Sequence, residues 1–355
     1  MRILQLYKKR RTEQRLIRGV RDNCSKISSN RELTCSQKKE IKQYYQDLLG
    51  IDIPLDWHRY FYKRTGVYSV KYIPTSLYYT EIIGRINQMQ FERAYSDKNI
   101  TELLLSGVKH PTTILKNMNG YYYADGTALS LEEAIETCWN IDDVIIKPTL
   151  KSHGDGVKKF ECHDGITNVD GKHIKQLLGL YNKNFIIQKI VKQNEQMSRL
   201  NPSSVNTLRI VTYRSGMEVL MLYAVVRIGR QGWEIDNESA GGISTKINAD
   251  GTLSKYAYGA PGNDHVERTD TGIVLDGFKV PYFNTVVQSV KNLHLQLPHF
   301  NLIGWDMTVD NEGTPILIEW NVWPELSQSA NGPAFGDYTE RIFKEIWNRP
   351  NTRPY

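Results

Sequence analysis

Two carboxylates and one side-chain amide near the end of the chain have the types and spacing to do chemistry. Asp306 closes the run Leu302-Ile303-Gly304-Trp305-Asp306, and Glu319 and Asn321 close the run Pro315-Ile316-Leu317-Ile318-Glu319-Trp320-Asn321. Asn311-Glu312-Gly313 lies between these apolar runs as a turn, which predicts a β-hairpin. Glu319 and Asn321 are two residues apart and share one face of their strand. With Asp306 opposite the end of the second strand, the three oxygen donors meet at one edge. Such a set suits a hard divalent cation, Mg²⁺, which keeps several waters and also takes phosphate oxygens. Acidic residues at strand ends are commonly only solvated. Here Ile316, Leu317, Ile318, Trp320 and Val322 make the strand apolar on both faces, so a carboxylate within it needs a cation or donors.

A second candidate is Lys147, which ends the apolar strand Asp143-Val144-Ile145-Ile146-Lys147-Pro148. The loop after it, Lys151-Ser152-His153-Gly154-Asp155-Gly156-Val157, holds two glycines. Backbone N–H groups from Ser152 to Val157 approach anionic oxygens closely where glycine removes the side chain. The loop lacks the Gly-Lys-Ser/Thr ending of a Walker phosphate loop. Taken alone, a plain surface hairpin with a terminal lysine is the simpler reading.

The elements that must position these groups follow from hydrophobic periodicity. Met1 to about Gly50 reads as helical, broken by the polar stretch Cys24 to Thr34, and Trp57 to about Arg93 is rich in aromatic residues and reads as a small lobe. Thr101 to Leu105 predicts a short helix, Pro111 to Leu115 an extended segment, and Gly120 to Gly126 a turn-rich hairpin tip. Helices are expected from Leu129 to Ala134, Gly171 to Leu178, Phe283 to Leu293 and Tyr338 to Trp347. Strands are expected at Lys158 to Cys162, Asn184 to Val191, Thr207 to Tyr213 and Val219 to Arg227, with a glycine-containing loop from Asn237 to Thr245. More strands than helices, with the helices interspersed, indicate an α+β protein with antiparallel sheets. No internal repeat or low-complexity tract interrupts the chain.

At 355 residues, with 40% hydrophobic and 24% charged content, the chain has room for two or three ordinary globular domains. No apolar run approaches the roughly 20 residues that span a bilayer. The basic opening is unlike a secretory signal, so the cytoplasm is the expected location. Cys24, Cys35, Cys138 and Cys162 are scattered, without metal-type spacing, and read as reduced structural thiols. The net charge of +6 is uneven, with Lys8-Lys9-Arg10-Arg11, Arg15, Arg18, Arg21 and Lys38-Lys39 in the first forty residues. No aromatic residues interleave with the early run, and no zinc or helix-turn-helix signature follows, so nucleic acid is not the expected partner. A solvated basic helical face is the first reading, and peripheral membrane contact through this segment is the second.

The order Asp97-Lys98, Lys147, glycine loop, Gln188-Lys189, Glu195, Asp306, Glu319 and Asn321 resembles the ATP-grasp superfamily. D-alanine:D-alanine ligases and ribosomal-protein glutamate ligases look like this. The thirteen-residue separation of Asp306 and Glu319 is as expected there. More narrowly, Pro202-Ser203-Ser204-Val205-Asn206-Thr207-Leu208-Arg209, Gly304-Trp305-Asp306 and Glu319-Trp320-Asn321 resemble the sugar-transfer-associated ATP-grasp proteins of polysaccharide biosynthesis. This likeness covers roughly Arg93 to Trp347 and does not reach the first fifty residues.

The resemblance implies two sheet-bearing lobes clasping ATP, with a basic helical segment over residues 1–50, a small lobe over 51–95, a first ATP-grasp subdomain over 96–187 and a second, metal-bearing one over 188–350. It implies Asp306, Glu319 and Asn321 as Mg²⁺ ligands. Lys98 and Lys147 fall on the phosphates, with Ser152, Gly154 and Gly156 in the loop above them. Gln188, Lys189 and Val191 fall beside the adenine, and Glu195, with Asn206 as the fallback, on the ribose. The better-known ligases carry an arginine where this chain has Gly304, so Arg209 and Arg227, with Lys147, are the expected catalytic cations. Their Asn-x-x-Pro-Gly ending is Asn321-Val322-Trp323-Pro324-Glu325 here. The implied reaction joins a carboxylate, expected to be a sugar acid, to an amine or amino acid through an acyl phosphate, in the company of polysaccharide-biosynthesis enzymes. A kinase on the same nucleotide site and a non-catalytic basic binding module are the competing readings.

Overall fold

The computed structural model describes residues 2–151, 155–233, 236, 241–261 and 265–353, with side chains described from residue 6 onward. The chain opens with a long basic helix, α1 (Arg2–Ser25), and an irregular stretch separates it from α2 (Cys35–Leu49). Thr34 and Gln37 start α2 with a reciprocal capping box, and Gly50 ends it in the left-handed conformation, φ 67°. A third helix, α3 (Asp56–Thr65), begins the aromatic-rich segment.

A first antiparallel sheet holds β1 (Thr113–Met118), β2 (Tyr121–Ala124), β3 (Thr127–Leu129), β4 (Ile141–Pro148), β5 (Lys158–His163), β6 (Ile166–Thr167) and β7 (Phe185–Lys189). Their spatial order is β3-β2-β1-β7-β4-β5-β6. The expected hairpin tip at Gly120 to Gly126 is instead a complete strand between two tight turns. Asn119-Gly120 and Asp125-Gly126 each have positive φ at both residues. Two such residues in succession make the two-residue turn whose twist suits a hairpin, so each glycine serves its own turn.

The second antiparallel sheet holds β8 (Thr207–Ser215), β9 (Glu218–Ile228), β10 (Ile243–Ile247), β11 (Leu253–Tyr258), β12 (Leu302–Val309) and β13 (Pro315–Asn321), in the order β11-β10-β9-β8-β12-β13. The expected helix before the last hairpin is present as Phe283–His294, and the closing helix as Thr339–Ile346. The fold is therefore α+β with two antiparallel sheets. Of the loop expected from Asn237 to Thr245, residues 237–240 lie outside the described residues, and β10 begins at Ile243.

Each sheet has its own core. Leu115, Val144, Ile146, Phe160, Ile187 and the helix residues Leu177 and Leu178 fill the first. The second is larger and includes Ile41, Tyr45, Tyr78, Ile82 and Ile83 together with Ile210, Val225, Trp305, Leu317 and Phe343. Part of the aromatic-rich segment thus packs directly on the second sheet, while Tyr60, Phe61 and Tyr72 join Val20 and Cys24 of α1 in a third cluster. No helix among the described residues is long and apolar enough to cross a membrane.

Asn87 ties the aromatic-rich segment to the strands of the site. Its buried amide donates to the carbonyls of Leu302 at 2.8 Å and Val322 at 2.9 Å, and its oxygen accepts the Leu302 N–H at 2.8 Å. Asn87→Ala strands all three backbone groups without water. The expected loss in unfolding free energy is about 2 to 3 kcal/mol, read by urea denaturation, and an unchanged midpoint would contradict this role.

Candidate active site between the sheets

Strand pairing puts the chemically capable side chains on one face of the second sheet. Asp306 pairs with Arg209 on one side and Glu319 on the other, Gly304 with Asn321, and Thr207 with Arg227. Directly opposed residues of an antiparallel pair project to the same face, and so do residues two apart along a strand. Arg227, Arg209, Asp306, Glu319 and Asn321 therefore form one band across four strands. A one-residue bulge at Ile318 follows it, since Asp306 opposes Glu319 whereas Met307 opposes Leu317.

Asp306 is clamped within this band. Arg209 donates Nε and Nη2 to its two oxygens at 2.6 and 2.8 Å, and Arg227 lies 3.5 Å from both. Burial pushes the Asp306 carboxyl up, but the two guanidiniums outweigh it and hold the group below the usual aspartate range. Burial opposes the charge on Arg209 as well, yet the Asp306 contact raises its pKa further. Gly304, where the better-known ligases carry arginine, has no room for a side chain. A Cβ there would sit 2.8 Å from Pro324 Cβ and 3.5 Å from Arg209 Cδ.

Segments flanking the first sheet bring lysines to the same space. Lys98 Nζ lies 3.0 Å from Glu319 Oε1 and donates to the Lys151 carbonyl at 2.7 Å. Its segment is held by Asp97, which caps the Asn99 N–H at 3.0 Å, and by Asn99 Nδ2 donating to the Asn117 carbonyl at 3.0 Å. Lys147 is buried at the end of β4. Burial pushes its pKa down to about 8, Glu319 partly opposes that shift and Lys98 adds to it. Lys98, Lys151, Arg209, Arg227, Asp306, Glu319 and Asn321 line a single cavity of about 590 Å³.

This donor set fits a divalent cation. Glu319 presents a partly exposed carboxylate to the cavity. The Asn321 oxygen accepts the Trp323 N–H at 2.6 Å and keeps a second lone pair. Asp306 has about four acceptor positions, two taken by the close Arg209 pair and two by the long Arg227 contacts, so it would meet a cation by giving up Arg227. Arg209 in turn commits two of five N–H donors to Asp306, leaving others for an anion.

The remaining expected site residues lie away from this wall. Gln188, buried in β7, donates weakly to the Pro111 carbonyl at 3.4 Å and Thr113 Oγ1 at 3.3 Å, while its Oε1 is buried without a partner. Lys189 donates to the Asp142 carbonyl at 2.8 Å, and Val191 follows in the next turnless stretch. Glu195 is exposed, with its N–H on Asn311 Oδ1 at 2.9 Å. Asn206 is buried and donates to the carbonyls of Met197 and Asn201, both at 3.0 Å. Gly156, at φ 78°, packs where a Cβ would lie 2.9 Å from Pro148 Cγ. Ser152 and Gly154 lie outside the described residues.

Sequence reading missed several wall residues. Thr12, Arg15 and Leu16 of α1 line the cavity, as do Tyr79, Trp323, Glu325 and Arg353. The spacing of Thr12, Arg15 and Leu16 is that of one helix face, a signal present in the sequence but indistinguishable there from a solvated helix. Arg353 sits over the Trp323 ring, 5.1 Å from its centroid, and is joined to the site only by the fold.

Because Asp306 ionises at lower pH in the folded chain than in the unfolded one, its contribution to stability is complete above about pH 4. It is lost as the pH falls further, towards the folded value. Asp306→Asn leaves a buried arginine against a neutral amide. The expected cost at neutral pH is about 3 kcal/mol, with a flatter acid limb in the stability profile measured by urea unfolding. Wild-type stability across that range would contradict the clamp.

Residues 78–343 match the family described as sugar-transfer associated ATP-grasp. No curated protein matches the sequence at a significant level. Among solved structures, a D-alanine–D-alanine ligase from Bacillus anthracis aligns at 15% identity over 71% of this chain and 67% of its own, with a TM-score of 0.39. An L-amino acid ligase from Bacillus licheniformis aligns at 13% identity over 75% of this chain and 50% of its own, TM-score 0.37. An N5-carboxyaminoimidazole ribonucleotide synthetase in complex with ADP aligns at 13% identity over 74% of this chain and 54% of its own, TM-score 0.41. The chain thus spans about half the length of the latter two. With the family match covering well over half of its residues, the chain belongs to the sugar-transfer associated ATP-grasp family.

Proposed function

We propose that this protein is an ATP-dependent carboxylate-amine ligase that attaches an amino acid or amine to a sugar acid during cell-surface or capsular polysaccharide assembly. The observation that carries the reading is the shared cavity. The second sheet presents Asp306, Glu319, Asn321, Arg209 and Arg227 to it, and Lys98 and Lys151 face them from the segments flanking the first sheet, with Lys147 buried at the end of β4 within the fields of Glu319 and Lys98. Cations on both walls, interleaved with oxygen donors, are what a magnesium nucleotide requires.

In this reading Lys98 and Lys147 bring positive charge to the phosphates of ATP. At neutral pH Lys147, with its pKa near 8, is mostly protonated. Glu319, Asn321 and Asp306 are the residues that would hold magnesium, which would supply charge neutralisation on the triphosphate. The loop containing Ser152, Gly154 and Gly156 covers the γ-phosphate with backbone N–H groups. The orphaned Oε1 of Gln188 accepts from the adenine amino group, next to the backbone of Lys189 to Val191, and Glu195 or Asn206 meets the ribose. An acceptor carboxylate oxygen attacks the γ-phosphorus and ADP leaves. The amine then attacks the acyl carbon, phosphate leaves, and the amine proton is released. Arg209 and Arg227, steadied by Asp306, hold the charge that develops on the transferred group. The protein's part is alignment and charge compensation. A reaction fed by ATP is placed in the cytoplasm.

Purified protein with ATP, magnesium, uronic-acid sugars and amino acids is expected to release ADP and phosphate only when both an acid and an amine are present. Glu319→Ala is expected to abolish turnover, by more than about 100-fold, with folding intact. Phosphorylation of a hydroxyl acceptor with no amine present would instead show a kinase. Wild-type turnover in Glu319→Ala would overturn the metal assignment.

A further inference from the structure

The chain's charge is gathered on one helix. Within α1, eight lysines and arginines stand against Glu13 and Asp22, a net +6 that equals the net charge of all 355 residues. The other elements together are neutral. Among the described side chains, Lys9 pairs with Glu81 and Arg21 with Asp56 at 2.6 Å. Arg15 leans to the cavity. Tyr7, Arg11, Gln14 and Arg18 form an exposed ridge at helical spacing, flanked by exposed Lys8 and Arg10. At its N-terminal end Leu6 and Tyr7 are 52% and 61% exposed, an apolar pair beside the basic ridge.

α1 is also firmly seated. Val20 and Cys24 enter a core cluster with Tyr60, Phe61 and Tyr72, and Thr12, Arg15 and Leu16 form part of the cavity wall. Whatever the outer ridge binds is therefore held close to the mouth of that cavity. A basic ridge tipped by exposed Leu6 and Tyr7 sets cations to meet anionic headgroups and two apolar side chains to enter the headgroup boundary. Tyr7 could also stack on a base, but exposed Leu6 gains little from a nucleic acid and favours lipid.

We propose that the outer face of α1 docks on an anionic phospholipid surface and presents the cavity to it. The docking stands independently of the ligase reading. If that reading holds, the docking implies an acceptor delivered at the membrane, a sugar acid on a lipid carrier.

The test uses the full chain without nucleotide, sedimented with vesicles of phosphatidylcholine alone and of phosphatidylcholine mixed with phosphatidylglycerol. Double-stranded DNA serves as a competitor. Wild-type protein is expected to pellet with the anionic vesicles only, and to be released by added salt. The triple variant Arg10→Glu, Arg11→Glu, Arg18→Glu is expected to bind more than about tenfold more weakly with its melting temperature unchanged. Equal binding to both vesicle types, no binding, salt-insensitive binding of wild type, full binding by the variant, or displacement of vesicles by DNA would each overturn the proposal. Since the readout needs neither ATP nor turnover, it separates from the outcome of the ligase assay.

Discussion

A buried carboxylate held between two arginines organises the second sheet and everything attached to it. Asp306 sits on β12, its partners Arg209 and Arg227 on β8 and β9, and this pairing of those strands sets the carboxylate against both guanidiniums away from water. Breaking the pairing would leave a buried ion. Shifting any one strand by a residue would turn its charge to the opposite face of the sheet. The same register delivers Glu319 and Asn321 to the cavity, so the constraint that holds the strands also sets the spacing of the reactive groups.

The two sheets contribute differently. The second is rigidly specified, with β12 buried along its whole length and Trp305 donating to Thr212, which in turn contacts His294 at 2.7 Å. Burial keeps that histidine neutral, its pKa pushed down to about 4. On the first sheet's side the cations come from the end of β4 and from the short turn before β1, where Lys98 already pairs with Glu319. Lys98 is thus poised against an acid rather than left bare, and an arriving polyanion would exchange one partner for another.

Much of this was legible in the amino-acid sequence, for a definite reason. The apolar runs around Asp306 and Glu319 reach turn residues at both ends, so hairpin, register and shared face follow from the period of two. Lys147 was readable in the same way, as the polar end of an apolar strand. Asn-Gly and Asp-Gly around β2 were equally visible as paired turn residues, but merging them into one hairpin tip erased a strand. The contributions of α1, Tyr79 and Arg353 were not readable, because they depend on contacts between segments separated by tens to hundreds of residues. Gly304 shows the limit most clearly. Its meaning comes from Pro324 and the stem of Arg209 occupying the space, and no local pattern records that.

The central claim is that Lys147 and its neighbours receive the phosphates of a nucleotide, and proton linkage tests it most directly. Near pH 8 the free protein carries Lys147 partly deprotonated, with its pKa depressed by burial and by Lys98. Phosphate charge beside it must raise that pKa. Calorimetric titration of magnesium-ATP at that pH, in buffers of differing ionisation enthalpy, should therefore show proton uptake in the wild type and none in Lys147→Arg, whose guanidinium stays charged. A binding heat independent of the buffer, the same uptake in the variant, or no binding at all would contradict the account.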